Sequence, residues 1–181
     1  MNDEQRHLLE QYIVGKDQDK FQILEKIYLK GAEVEFKINS PNITFPGKVA
    51  GNRAIAKTLS ADFNKKYEKV KTYYLSKKIK DNYNISEQPW LVVMKEIGNE
   101  LSCIGSGCYD WELKKHNNEL KILKQRICIH VMLEIQDPGS EQLQEIQEKL
   151  KYPWVERQVA VGVLKGFENL TEITNYLMIN K

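Results

Sequence analysis

Four segments, at positions 70–79, 89–97, 101–114 and 120–135, are dense in β-branched and aromatic residues, and they follow one another with little between them. That run constrains the chain more than any other feature, because four consecutive strands joined by short turns form an antiparallel meander. Gly98-Asn99 supplies one tight turn and the stretch from His116 to Glu119 another. Gly105 and Gly107 alternate within the third segment, where glycines mark a bulge or a sharp bend, as a strongly curved sheet requires.

The first third of the chain has helical spacing instead. Leu8, Leu9, Tyr12 and Ile13 define a short amphipathic helix over 3–14. Asp19 and Gln22 have the spacing of a capping box for a second helix, with a stripe of Phe21, Leu24, Ile27 and Tyr28 and with Gly31 as its terminator. Positions 33–38 alternate as a strand, and 39–51 hold Pro41, Pro46, Gly47 and Gly51 as a loop. Asn52 caps a third helix bearing Ile55, Ala56, Leu59 and Phe63. Helices followed by a meander predict an α+β fold, with a curved antiparallel sheet wrapped around the N-terminal helices. Pro138-Gly139 closes that core. Ser140 then caps a helix to Lys151, Pro153 starts another carrying Val155, Val159 and Val163, and a last helix covers 170–178. The expected organisation is an α+β domain over 1–136 followed by helices over 137–181.

The 181 residues carry 27 basic and 25 acidic side chains, a net charge of +2, which gives no field for steering nucleic acid or anionic lipid. No apolar run approaches the roughly 20 residues of a membrane span, and the polar start at 1–10 shows no leader. Cys103, Cys108 and Cys128 lack metal-ligand spacing along the chain, so reduced thiols, a cytoplasmic location, no metal and no cofactor are expected.

The order of the first half resembles the nuclear-transport-factor-two-like superfamily, the cone fold of SnoaL-like cyclases, scytalone dehydratase and ketosteroid isomerase. Tyr12 and Tyr28 keep the interval of the isomerase tyrosine and the aromatic that ends helix two, and Ala32-Glu33-Val34-Glu35 matches the Ala-x-Val-Glu run. The proton-abstracting Asp that should follow is Phe36. Gly107-Cys108-Tyr109, Leu120-Lys121-Ile122 and Arg126 resemble the SnoaL-like and dehydratase branch. That branch's strand His is replaced within Lys71-Thr72-Tyr73-Tyr74-Leu75 by tyrosines, which are poor bases at neutral pH.

The resemblance implies that 1–136 form a SnoaL-like α+β cone domain, with 137–181 a helical extension packed on it, and that the cone holds a pocket without the usual acids and bases, enclosing a small hydrophobic ligand. A second reading is a dehydratase-like lyase or isomerase using Tyr12, Asp110 and His130; by alternation His130 shares a face with Lys124, Arg126, Cys128 and Met132. A third is a dimeric interaction module. The strands are apolar in both parities, as Val92 and Met94 alternate with Leu91 and Val93, so the convex face needs a cover. That cover is a two-fold homodimer or, alternatively, the chain's own C-terminal helices.

Overall fold

The computed structural model describes residues 1–75 and 83–179, so positions 76–79 of the first expected strand lie outside the described residues. Helix α1 (Asp3–Asp17) opens on a capping box: the Asn2 side chain accepts from the Gln5 N–H at 2.9 Å, and the Gln5 side chain accepts from the Asn2 N–H at 3.1 Å. Helix α2 (Phe21–Ile27) has no such cap. Asp19 takes a left-handed backbone, with φ of 51°, and its carboxylate accepts from the Ser60 hydroxyl at 2.6 Å instead. Gly31 does not terminate α2. The backbone turns extended at Tyr28 and runs straight into strand β1 (Tyr28–Ile38), because Tyr28, Ala32, Val34 and Phe36 all find core positions on the sheet.

A short strand β2 (Lys48–Ala50) pairs antiparallel with β1. Helix α3 (Asn52–Ala56) continues as a π-helical stretch over Lys57–Asp62. Its N-cap is Gly51 at φ 88°, while Asn52 uses its amide to bond the Glu25 carbonyl at 2.9 Å. The meander follows as β3 (Tyr67–Leu75), β4 (Asn84–Glu96), β5 (Leu101–His116) and β6 (Glu119–Gln136), each antiparallel to the next. The antiparallel meander and the α+β layering agree with the sequence expectation. The sheet is mixed, however, because β1 joins the meander parallel to β6.

The C-terminal segment contains helix α4 (Glu141–Lys149), strand β7 (Trp154–Val155), helix α5 (Arg157–Leu164), a 3₁₀ turn and helix α6 (Thr171–Ile179). Ser140 does not cap α4 with its side chain; the Asp137 carboxylate does, accepting from the N–H groups of Gln142 and Leu143. Pro153 follows a cis peptide and precedes β7, which extends the sheet beside β3 to give the order β2-β1-β6-β5-β4-β3-β7.

The sheet separates two apolar cores. On the concave side, α1, α2 and α3 bury Leu8, Leu9, Tyr12, Ile13, Leu24 and Ile55 against Trp90, Val92, Tyr109, Trp111, Ile127 and Ile129. On the convex side, α4, α5 and α6 place Leu143, Ile146, Ala160, Leu164, Ile173 and Leu177 over Tyr73, Leu91, Val93, Ile104, Val131 and Ile135. The second core accounts for strands that are apolar in both parities: the chain covers this part of its convex face itself. No helix among the described residues is long and apolar enough to cross a membrane.

One irregularity in β6 changes its facing. Ser106 pairs with Val131 and Gly107 with Ile129, so His130 is the extra residue of a β-bulge. Alternation shifts by one there. Val131 turns to the convex core and Met132 to the concave one, so Met132 does not share a face with His130 as strict alternation had predicted.

Candidate functional site

The concave core closes over a cavity of about 40 Å³. Its walls are apolar and aromatic: Phe36, Phe45, Phe63, Trp90, Tyr109 and Met132 line it beside Tyr12, and Lys16 and Thr72 are its remaining polar wall. No histidine and no carboxylate is among the described residues of the lining. Phe36, standing where a base was expected from the family pattern, forms part of this wall and stacks on Phe45 with ring centres 4.7 Å apart and planes 7° apart. Phe45 in turn lies 6.0 Å from Phe63, at 15°.

Phe45 belongs to the loop between β1 and β2, and it is only half-buried. The loop is tied down on β6, where Asn42 donates its side-chain amide to the Met132 carbonyl at 2.8 Å and Asn39 its N–H to Ile129 at 2.9 Å. Phe45 and Ile43 thus close the mouth of the cone.

Tyr12 is fully buried, and its ring meets Trp111 edge-on at 4.7 Å and Tyr109 at 5.6 Å. Burial raises its phenol well above the ordinary value, and the nearby Gln125 and Tyr109 offset this only in part, so it stays a neutral donor. That hydroxyl makes no hydrogen bond of good geometry; neither does the buried indole N–H of Trp90, also on the cavity wall. Tyr28 donates to the Gln125 side-chain oxygen, and Tyr74 to the Leu9 carbonyl at 3.0 Å.

One charged pair is built into the wall. The Lys16 ammonium meets Asp17 Oδ1 at 2.6 Å, with side chains only 8% and 1% exposed. It also donates to Thr72 Oγ1 at 2.8 Å and lies 5.0 Å from the centre of the Phe63 ring. Asp17 accepts further from the Thr72 N–H at 2.6 Å, the Thr72 hydroxyl at 2.9 Å and the Tyr152 hydroxyl at 3.1 Å. Its oxygens are therefore engaged and it does not face the cavity. Sequence reading missed this network. The signal was a Lys-Asp pair one turn after Tyr12, at the end of a helix whose neighbours are buried.

Of the three residues expected to act together, the structure places Tyr12 in the cone and the other two on the convex face. Asp110 pairs with Arg126, which it meets at 3.1 Å, and accepts from the Glu87 N–H at 2.7 Å. Arg126 is held from the other side by Glu35 at 3.0 Å. His130 is exposed, with Nε2 3.6 Å from Cys108 Sγ. The sheet itself lies between Tyr12 and this pair. The lyase constellation Tyr12, Asp110 and His130 therefore does not assemble, because Asp110 alternates with the wall residue Tyr109 and His130 is the extra residue of the bulge on the convex side.

No protein-family model matches this chain, and no curated protein matches it in sequence. Solved structures do match in shape. A type 2 hexachlorocyclohexane dehydrochlorinase (LinA) superposes with a TM-score of 0.58 at 13% identity, over 73% of this chain and 86% of that one. A scytalone dehydratase-like protein from Novosphingobium aromaticivorans gives 0.58 at 14% identity, over 76% and 92%. A LinA type 3 from Novosphingobium barchaimii gives 0.57 at 12%, over 73% and 88%. At such identities the likeness is one of fold. Together with the cone geometry, it gives this chain the α+β cone fold that these proteins share.

Proposed function

We propose that this protein is a small-molecule-binding cone, whose ligand is a planar, largely apolar molecule carrying one hydrogen-bond acceptor. The observation that carries the reading is an apolar, aromatic wall with buried donors in it. Tyr12 and Trp90 both line the cavity, and the buried Trp90 indole N–H has no hydrogen-bond partner. An unsatisfied buried donor costs about 1–3 kcal/mol, and such groups are rare unless something meets them in use. A carbonyl or hydroxyl oxygen of a ligand would meet them.

The Phe36–Phe45–Phe63 stack supports the planar shape. A cavity of about 40 Å³ admits little more than a water. Phe45 is half-buried on a loop, and its ring occupies the slot that a flat guest would take if the loop swung outward. Phenylalanine stacking of this kind serves an aromatic ligand equally well.

Chemistry beyond binding is not supported by the wall. Proton abstraction needs a base within hydrogen-bond reach of the substrate. Tyr12 stays protonated, and Asp17 is fully engaged behind Lys16. The dehydrochlorinase and dehydratase names of the structural neighbours thus suggest a shared pocket rather than a shared reaction. The reduced cysteines fit a cytoplasmic setting.

Native mass spectrometry of the protein as purified from cells tests the reading. A small organic adduct, released on denaturation and absent when Phe45 and Tyr12 are replaced by Trp and Phe together, is the expected result. A bare polypeptide mass from several expression hosts, with no uptake of added one-ring aromatics, would contradict it.

A further inference from the structure

The convex face carries a second chemical feature, remote from the cone. Cys108 on β5 and Cys128 on β6 are direct register partners, and His130 projects beside them from the bulge. The two sulfurs and an imidazole nitrogen all lie within 4.8 Å of one another. Along the chain the three are spread over 23 positions, so no ligand spacing is visible; strand pairing brings them together.

Two details indicate a site built for a cation. The first is distance. Zinc–sulfur and zinc–nitrogen bonds in tetrahedral geometry give an S···N edge of about 3.6 Å, and Cys108 Sγ lies 3.6 Å from His130 Nε2. The second is the backbone. A Cβ on Gly107 would fall 1.9 Å from the Cys128 carbonyl oxygen, so only glycine lets β5 press against β6 beside the two thiols. The bulge at the same point aims His130 toward them.

We propose that Cys108, Cys128 and His130 form a zinc-binding site with a fourth position open to solvent. Two thiolates and one imidazole are a donor set for zinc, and three protein ligands leave one position for water or another ligand. Binding converts two thiols and a zinc ion into a neutral bis-thiolate centre and releases two protons. The open position faces a groove of about 1180 Å³ between the sheet and helices α5 and α6, where the Tyr176 ring lies 5.6 Å from that of His130. The site is independent of what the cone binds.

Cobalt is the direct probe, because thiolate ligation of tetrahedral Co²⁺ gives a sulfur-to-metal charge-transfer band and intense d–d bands. Reduced full-length protein, titrated with Co²⁺ and then Zn²⁺, should saturate at a single equivalent, with zinc displacing cobalt. C108S and C128S should lose the charge-transfer intensity. H130N, at an exposed position where folding is not at stake, should weaken binding roughly tenfold or more. C103S should bind as the native protein does, since Cys103 is buried on the other face. Absence of the band in reduced native protein, an unchanged affinity in H130N, or loss of the band in C103S would overturn the proposal. So would an intact mass showing that Cys108 and Cys128 form a disulfide while the reduced protein takes up no metal.

Discussion

At the scale of single residues, the Lys16–Asp17 pair is buried on both sides. Breaking a buried pair by removing one partner leaves an uncompensated charge and costs about 3–5 kcal/mol. Thr72 and Tyr152 still bond Asp17 when Lys16 is lost, so K16M should cost about 3 kcal/mol in urea unfolding. The double variant K16M/D17N should cost less than the sum of the two single changes. Additive losses would show that the two side chains are not coupled.

Asp137 offers a pH test at the same scale. Burial alone would raise its carboxyl, but the N–H of Leu143, the Ser102 hydroxyl and the N–H of Gln142 outweigh that and hold it below the ordinary value. A folded value below the unfolded one, about 4, means that the charged form stabilises the fold. That contribution is whole above about pH 4 and is lost as pH falls through the folded value. D137N should lower stability at neutral pH by about 1.5–3 kcal/mol and flatten the decline below pH 4. An acid limb as steep as in the native protein would assign that decline to other carboxylates.

At the scale of elements, the places where sequence and structure part company have identifiable causes. The helices of the first third and the meander were legible because 3.6-residue and 2-residue periods dominate there. Gly31 and Asp19 misled because the core could use Tyr28 and Ala32 on the sheet, so β1 begins where a helix terminator was expected. The pairing of β1 parallel to β6 is long-range and leaves no local mark. The bulge at His130 is the most consequential of these features. Alternation reads Met132 onto the wrong face, and nothing in the local sequence signals the slip except Gly107 on the neighbouring strand. The site residues were legible only in part. Tyr12 was placed in the cone by the resemblance and in the core by its helix, but Asp110 and His130 could not be assigned a face until the register was known.

Gly107 gives that register a direct test. With a Cβ placed 1.9 Å from a backbone oxygen and 2.8 Å from the Trp90 ring, G107A forces β5 and β6 apart. A loss above about 3 kcal/mol, or failure to fold, is expected, because this is backbone strain in the middle of the sheet. Gly162 meets nothing within 4 Å and makes the contrast, since G162A on α5 should be neutral or slightly stabilising. Equal, small effects in thermal melts of the two variants would refute the close approach of the strands.

For the whole molecule, the C-terminal helices supply one of the two covers foreseen for the convex face, and the homodimer is a separate question for measurement. They bury Tyr73, Leu91, Val93 and Ile104 within one chain, and what remains toward β1 and β6 carries Glu35, Asp110, Arg126 and Lys124. Such a charged surface is a weak basis for a two-fold dimer. Light scattering at micromolar concentration should therefore give the mass of one chain, 21.2 kDa. Twice that mass would restore the homodimer and place its interface on this charged strip.

The central claim is that the cone receives a planar guest through the Phe45 loop and meets its acceptor with Tyr12. Methyl resonances of Met94 and Met132, both on the cavity wall, report on the cone directly. Acetophenone, a flat neutral ring with one carbonyl oxygen, is a suitable probe, titrated into native protein, Y12F and F45A. Saturable shifts of both methyls are expected in the native protein. Affinity should be about tenfold weaker in Y12F, which loses one hydrogen bond but keeps its ring packing and its stability. F45A should bind tighter, since the slot is already open. Methyl shifts that stay linear with concentration in all three proteins, or that saturate equally in native protein and Y12F, would contradict the account.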